Sequence, residues 1–188
     1  METIVLKFGG TSVGSTDRIS AVADLIQAAS KEAFPVVVVS AMSGETNRLI
    51  ELAQSFGSEP NKREFDALVS TGEKVSASLV AIALNHLGLK AKSLSAAQFG
   101  MKTTSHFSRA KILDMNNDIL FQTIEEGYIP IITGFQGITA DGDTTTMGRG
   151  GSDTTAVAIA ASIKAKRCDI YTDVDGIYTT DPRIVPEA

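Results

Sequence analysis

The sequence is short of the features that mark secreted, metal-binding, membrane or nucleic-acid proteins. Cys168 is the only cysteine in 188 residues. No intrachain disulfide can form, and a reducing cytosol is the expected setting, with Cys168 simply packing. The two histidines, His86 and His106, have no partners at ligand spacing, so both are read as structural or exposed. No charged segment leads into a signal-type apolar core at the N-terminus, and the run Ile4 to Leu6 is far too short to span a bilayer. A net charge of -5 gives no general pull toward nucleic acid or an acidic membrane surface, so any anion site must be built locally. Aromatic residues are few, at 6%, but 43% of the chain is apolar and 21% charged, an ordinary globular composition without a disorder signature. A chain of this length can bury about 70% of its unfolded surface, enough for one sizeable core. The expectation is a soluble cytoplasmic protein with neither a nucleic-acid nor a membrane partner.

The informative stretch is Thr144 to Ser162, where a glycine-rich loop becomes a helix. Gly148, Gly150 and Gly151 surround Arg149. Ser152 and Asp153 stand where an N-cap is expected, followed by Ala156, Ile159, Ala160 and Ile163 at helical spacing. Such a junction offers free amides and a favourable dipole to an anion, and Arg149 can clamp a carboxylate or phosphate; a capped surface helix is the plain alternative.

Thr3 to Phe8 reads as a buried strand that breaks into Gly9, Gly10, Thr11 and Ser12 before a helix starting near Ser15 or Thr16. Lys7 would face that turn as a phosphate ligand, or reach water from the strand end. The pattern is neither a Walker A loop nor GxGxxG. The helix from about Asp17 to Lys31 turns Ile19, Val22, Ala23 and Ile26 to one side, and Val36 to Val39 after Pro35 predicts a strand buried on both faces, as in a helix-covered parallel sheet. It ends in the small-residue turn Ser40 to Gly44, followed by Thr46. Both strand-end turns should line one crevice at the carboxyl edge of the sheet.

Further helices are predicted over 47–56 and 63–87, with a break at Thr71 and Gly72, and over 116–126. Glu73, just after the break, can complement a helix dipole or read a ligand. Strands are predicted over 91–95, 128–133 and 167–172, and 138–146 reads as a hairpin around an Asp-Gly turn. The region 96–115 shows no clear period.

Six segments together carry a family resemblance: KFGGTSV from Lys7, VVVVSAMSG from Val36, TGE from Thr71, PIITGFQG from Pro130, GRGGSDTTA from Gly148 and TDVDGIYTTDPR from Thr172. In that order they resemble the amino-acid kinase superfamily, and within it the aspartate kinases, over nearly the whole chain. The resemblance implies an α/β fold, a three-layer αβα sandwich with a mainly parallel central sheet. It also implies an enzyme that uses ATP and Mg²⁺ to convert L-aspartate to 4-phospho-L-aspartate, opening lysine, threonine and methionine biosynthesis.

By the same resemblance, Lys7, Gly9 and Gly10 hold the transferred phosphate. Glu73 meets the α-ammonium of the acceptor and Arg149 its α-carboxylate, with Ser40, Thr46 and Ser152 as weaker contacts. Asp153 organises the site, Thr172, Asp173, Tyr178 and Arg183 serve the nucleotide, and no residue is assigned as a metal ligand. Met147 stands where the motif has leucine, a volume-conserving exchange. The acceptor carboxylate, with a free pKa of about 3.9, is ionised at neutral pH, so Asp153 is not needed as a base. The alternatives are a kinase for glutamate, N-acetylglutamate, carbamate or UMP, and a non-catalytic nucleotide or amino-acid sensor. Residues 1–188 are expected to be an incomplete catalytic domain, lacking later helices and regulatory ACT domains, inactive alone and part of a homo-oligomeric parent.

Overall fold

The computed structural model describes residues 2–173. Its centre is a five-stranded sheet. The chain builds β1 (Thr3–Phe8), β2 (Phe34–Val39), β3 (Ala91–Leu94), β6 (Ile129–Thr133) and β9 (Cys168–Tyr171) into the order β3-β6-β2-β1-β9, with every pairing parallel. Alternation along the two central strands sends side chains to opposite faces. Ile4, Leu6, Phe8, Val37 and Val39 pack against α1 (Thr16–Ala29) and α4 (Thr71–His86). Val5, Val36 and Val38 pack on the other side against α5 (Ala96–Phe99), α6 (Asp118–Glu125) and α7 (Gly151–Ser162). Val36 to Val39 are all fully buried, as a central strand covered on both faces requires. The result is the three-layer αβα arrangement expected from the sequence.

A smaller sheet stands beside it. β4 (Met101–Thr103), β5 (Ile112–Met115), β7 (Gln136–Ile138) and β8 (Thr144–Thr146) run in the order β5-β4-β7-β8. The β7–β8 pairing is the predicted hairpin, and the segment 96–115 that lacked periodicity supplies α5, β4 and β5. Elements of three or four residues are too short to display a period. The helix α2 (Glu45–Gln54) starts two residues earlier than predicted. The predicted break at Thr71 and Gly72 lies instead at Ser70, between α3 (Lys62–Val69) and α4, and Gly72 belongs to the first turn of α4. A Cβ at Gly72 would meet the Ala41 side chain at 2.8 Å, so this glycine answers to packing and not to chain reversal.

Candidate active site

The turns after β1, β2 and β6 and the loop before α7 converge at the carboxyl edge of the parallel sheet, where α/β folds place their ligands. They enclose a cleft of about 590 Å³. Lys7, Gly10, Ser40, Thr46, Glu73, Arg149, Ser152 and Asp153 all line it. The first two turns touch: the Ser43 N–H donates to the Gly10 carbonyl at 3.1 Å, and a Cβ at Gly10 would lie 2.9 Å from the Ala41 carbonyl. Only glycine lets these backbones approach so closely.

Lys7 is 7% exposed, on the side of β1 that faces α7. Its Nζ lies 2.6 Å from Asp153 Oδ1, a charge contact without hydrogen-bond alignment. Asp153 does not cap its helix. The N-cap is Gly150, in the left-handed region with φ 73°, and Ser152 and Asp153 occupy the first turn. The sequence reading of the two as caps is corrected. The left-handed glycine turns the chain sharply, leaving the Asp153 side chain free to meet Lys7 and to favour the positive end of the helix.

Glu73 enters from α4 and is 3% exposed. Its Oε1 accepts the Ala41 N–H at 3.1 Å, while Oε2 is buried without a partner. Burial pushes its carboxyl up to about 7, against the backbone N–H groups that favour the ionised form. An acceptor atom left open at the wall of a cleft is suited to a ligand that brings a donor. Arg149 lies across on the exposed rim, in no ion pair among the described residues. Ser152 is 8% exposed and backs the cleft, while Ser40 and Thr46 are half-buried on its β2 side.

The other predicted site residues stand at or beyond the margin of the cleft. Gly9 is not in its wall but stands beside Lys7, a Cβ there lying 3.6 Å from Nζ, and its N–H donates to the Tyr171 carbonyl at 3.1 Å, joining β1 to β9. Thr172 and Asp173 follow β9 at the same edge of the sheet, exposed and outside the cleft wall. Tyr178 and Arg183 lie outside the described residues.

Sequence reasoning missed three residues. Phe135, with φ 70°, holds a bulky side chain in left-handed backbone, a strain of about 1–3 kcal/mol that a functional wall commonly carries. Its N–H donates to Thr155 Oγ1 at 3.1 Å, its carbonyl accepts from the Met147 N–H at 2.9 Å, and it lines the cleft. Asp66 is wholly buried beneath the cleft, and Gln136, 1% exposed, donates from Nε2 to the Ser70 carbonyl at 3.0 Å. Phe135 and Gln136 lie in the PIITGFQG segment but carry no chemistry that singles them out, and Asp66 lies in none of the six segments; each acts through residues far along the chain.

A buried lysine, glycine turns, an arginine on the rim and an open carboxylate meet in one cleft at the parallel-strand ends of an α/β protein, where α/β folds place their ligands. Comparison with known proteins makes the class specific. Residues 2–188 match the model of the amino acid kinase family, and the chain belongs to that family. It is 50% identical to an aspartokinase of Helicobacter pylori over 98% of its own length and 46% of the relative's. Its structure resembles that of an aspartate kinase from Synechocystis, with a TM-score of 0.81 and 48% identity, covering 98% of this chain and 30% of that one. E. coli aspartokinase III in complex with aspartate and ADP superposes with a TM-score of 0.87 at 31% identity, over 97% of this chain and 52% of the other. The chain thus spans about half the length, or less, of these relatives.

Proposed function

We propose that this chain carries the catalytic site of an ATP-dependent kinase that phosphorylates the side-chain carboxylate of L-aspartate. The observation that carries the reading is the unpartnered Glu73 Oε2 in the same cleft as Arg149 and the Lys7–Asp153 pair. The likeness to a structure holding aspartate and ADP supports it. In this arrangement Glu73 receives the α-ammonium, Arg149 forks onto the α-carboxylate, and Ser40, Thr46 and Ser152 add hydrogen bonds. The side-chain carboxylate, already ionised, then points toward Lys7 and the Gly10 turn.

Transfer requires one anion to approach another, so the protein's task is charge neutralisation and alignment. Lys7 supplies a positive charge where negative charge gathers on the moving phosphoryl group. Asp153 holds the Nζ in place and needs no proton from the acceptor. The resulting acyl phosphate forms in line, without a covalent enzyme intermediate. Among the described residues no cluster of three or more His, Cys, Asp or Glu side chains could hold a metal ion. Asp153 lines the cleft with its side chain half exposed, and it is the carboxylate that would help hold Mg²⁺ arriving on the phosphates, since Mg²⁺ commonly takes only one or two protein carboxylates. When bound, the ion would spread the phosphate charge.

The test is ADP release by the purified full-length protein with ATP, Mg²⁺ and either aspartate or glutamate, with hydroxylamine trapping the acyl phosphate as a hydroxamate. Aspartate-dependent ADP release with matching hydroxamate supports the reading, and nucleotide binding without amino-acid-dependent release would instead favour a sensor. An acceptor lacking an α-ammonium, such as carbamate or UMP, leaves Glu73 without a partner.

A further inference from the structure

We propose that Asp66 is a positioning residue that sets the spacing between Glu73 and Arg149, an inference that rests on the acceptor reading above. The two acceptor-reading groups stand on separate elements. Glu73 belongs to α4, which follows α3 after the single residue Ser70. Arg149 follows the end of β8. One carboxylate joins the two.

Asp66 of α3 is fully buried and accepts four hydrogen bonds. Its Oδ2 takes the backbone N–H of Ser108 and of Thr146, both at 2.8 Å. Its Oδ1 takes the hydroxyls of Ser108 at 3.0 Å and Thr146 at 2.9 Å. Thr146 is the last residue of β8, three positions before Arg149. Ser108, with φ 66°, also supports the loop from below, since a Cβ at Gly148 would lie 3.4 Å from its carbonyl. A second tie runs parallel to the first: Gln136, register partner of Thr146 in the hairpin, reaches the carbonyl of Ser70 at the α3–α4 junction.

Among the described residues no lysine or arginine lies within ion-pair distance of Asp66. A buried anion without a counter-charge is a poor means of gaining stability, and an apolar contact between α3 and β8 would serve better. What it provides is direction: two fixed amides and two hydroxyls must all converge on one carboxylate. Phe65, Val69, Ser108 and Thr146, which neighbour or bind Asp66, line the cleft themselves, so a slip of this junction changes its width.

The test compares Asp66→Ala with Asp66→Asn. The asparagine oxygen can accept both amides while its NH₂ donates to the two hydroxyls, which rotate to accept. We expect Asp66→Asn to stay within about threefold of the parent in both Michaelis constants, and Asp66→Ala to raise that for aspartate at least about tenfold while that for ATP moves less than about twofold. Hydrogen exchange on the same proteins gives a readout independent of catalysis. Amides from Thr146 to Gly151 should exchange about tenfold faster in Asp66→Ala, with those of β1 and β2 unchanged. Equal rises in both Michaelis constants, or unaltered exchange over 146–151, would overturn the proposal. If Asp66→Ala does not fold, Thr146→Val removes one of the four bonds and should show the same asymmetry at smaller size. Loosened exchange in the variant of a parent that does not use aspartate would leave the positioning role standing and reject the substrate.

Discussion

The two ends of the cleft hold charge in opposite ways. At the β1–α7 end a buried cation, Lys7, sits 2.6 Å from Asp153, whose side chain is 47% exposed. At the α4 end a buried anion, Glu73, has one hydrogen bond and an open oxygen, with burial pushing its carboxyl up to about 7. At the first end the two formal charges offset each other, and at the second one acceptor oxygen stays open. Under the proposed function an amino acid would fit both, its ammonium at Glu73 and its side-chain carboxylate toward Lys7. Asp66 sharpens the lesson: equally buried on the neighbouring helix, it has all its bonds filled and reads as framework, whereas Glu73 reads as receptor.

The largest expected effect breaks the neutral end. Lys7→Ala should remove on the order of 3 kcal/mol of transition-state stabilisation, by analogy with loss of a preorganised oxyanion donor. Steady-state kinetics of the protein would show it, and near-normal turnover would end the assignment of Lys7.

The second prediction concerns pH and the open end without ligand. A carboxyl whose folded pKa is raised binds its proton more tightly in the native state, so stability falls as pH rises from the unfolded value through the folded one. For Glu73 the window runs from 4.5 to about 7. The upper limit of the loss is on the order of 3 kcal/mol, and Glu73→Gln should abolish that slope. Denaturant midpoints of parent and variant across this window would show the difference; parallel curves would mean that Glu73 is not desolvated as described. Aspartate should bind more tightly as pH rises through the same window, because the ammonium favours the ionised carboxylate.

Arg149→Ala should cost about 2 kcal/mol in aspartate binding, roughly a thirtyfold rise in its Michaelis constant, with a smaller change for ATP. Equal changes would place Arg149 at the phosphate end instead. The smallest effects are expected at Ser40→Ala and Thr46→Ala, each losing one hydrogen bond of about 1 kcal/mol, visible as a several-fold rise in the aspartate Michaelis constant. A hundredfold rise at either would move that residue from a supporting to a principal contact.

Much of the architecture was legible because it obeys local periods. Four consecutive valines at 36–39 have only one comfortable home, a central strand covered on both faces, and Ile19, Val22, Ala23 and Ile26 declare the inner side of α1. The short elements within 96–115 were not legible: β4 has three residues and β5 four, too few in that stretch for a pattern to mark. The N-cap of α7 was misplaced for a similar reason. Serine and aspartate at 152 and 153 look like caps, but the backbone needed the left-handed turn that Gly150 supplies, and glycine leaves no side-chain signature of that choice.

By itself, the sequence determined a helix-covered parallel sheet, the glycine turns after its first two strands, and the cations offered to an anion at Lys7 and Arg149, which follow from hydrophobic period and from chemistry carried within a few residues. The three-layer αβα class and the site roles of Glu73 and Asp153 came with the family resemblance of its six segments. Only the tertiary structure decided that Lys7 meets Asp153, that Glu73 keeps one oxygen open, and that Asp66 joins α3 to the loop before Arg149. Each is a contact between residues distant along the chain, and the packing that creates it also removes water, which turns an ordinary carboxylate into a receptor or a fastening according to whether its hydrogen bonds are filled.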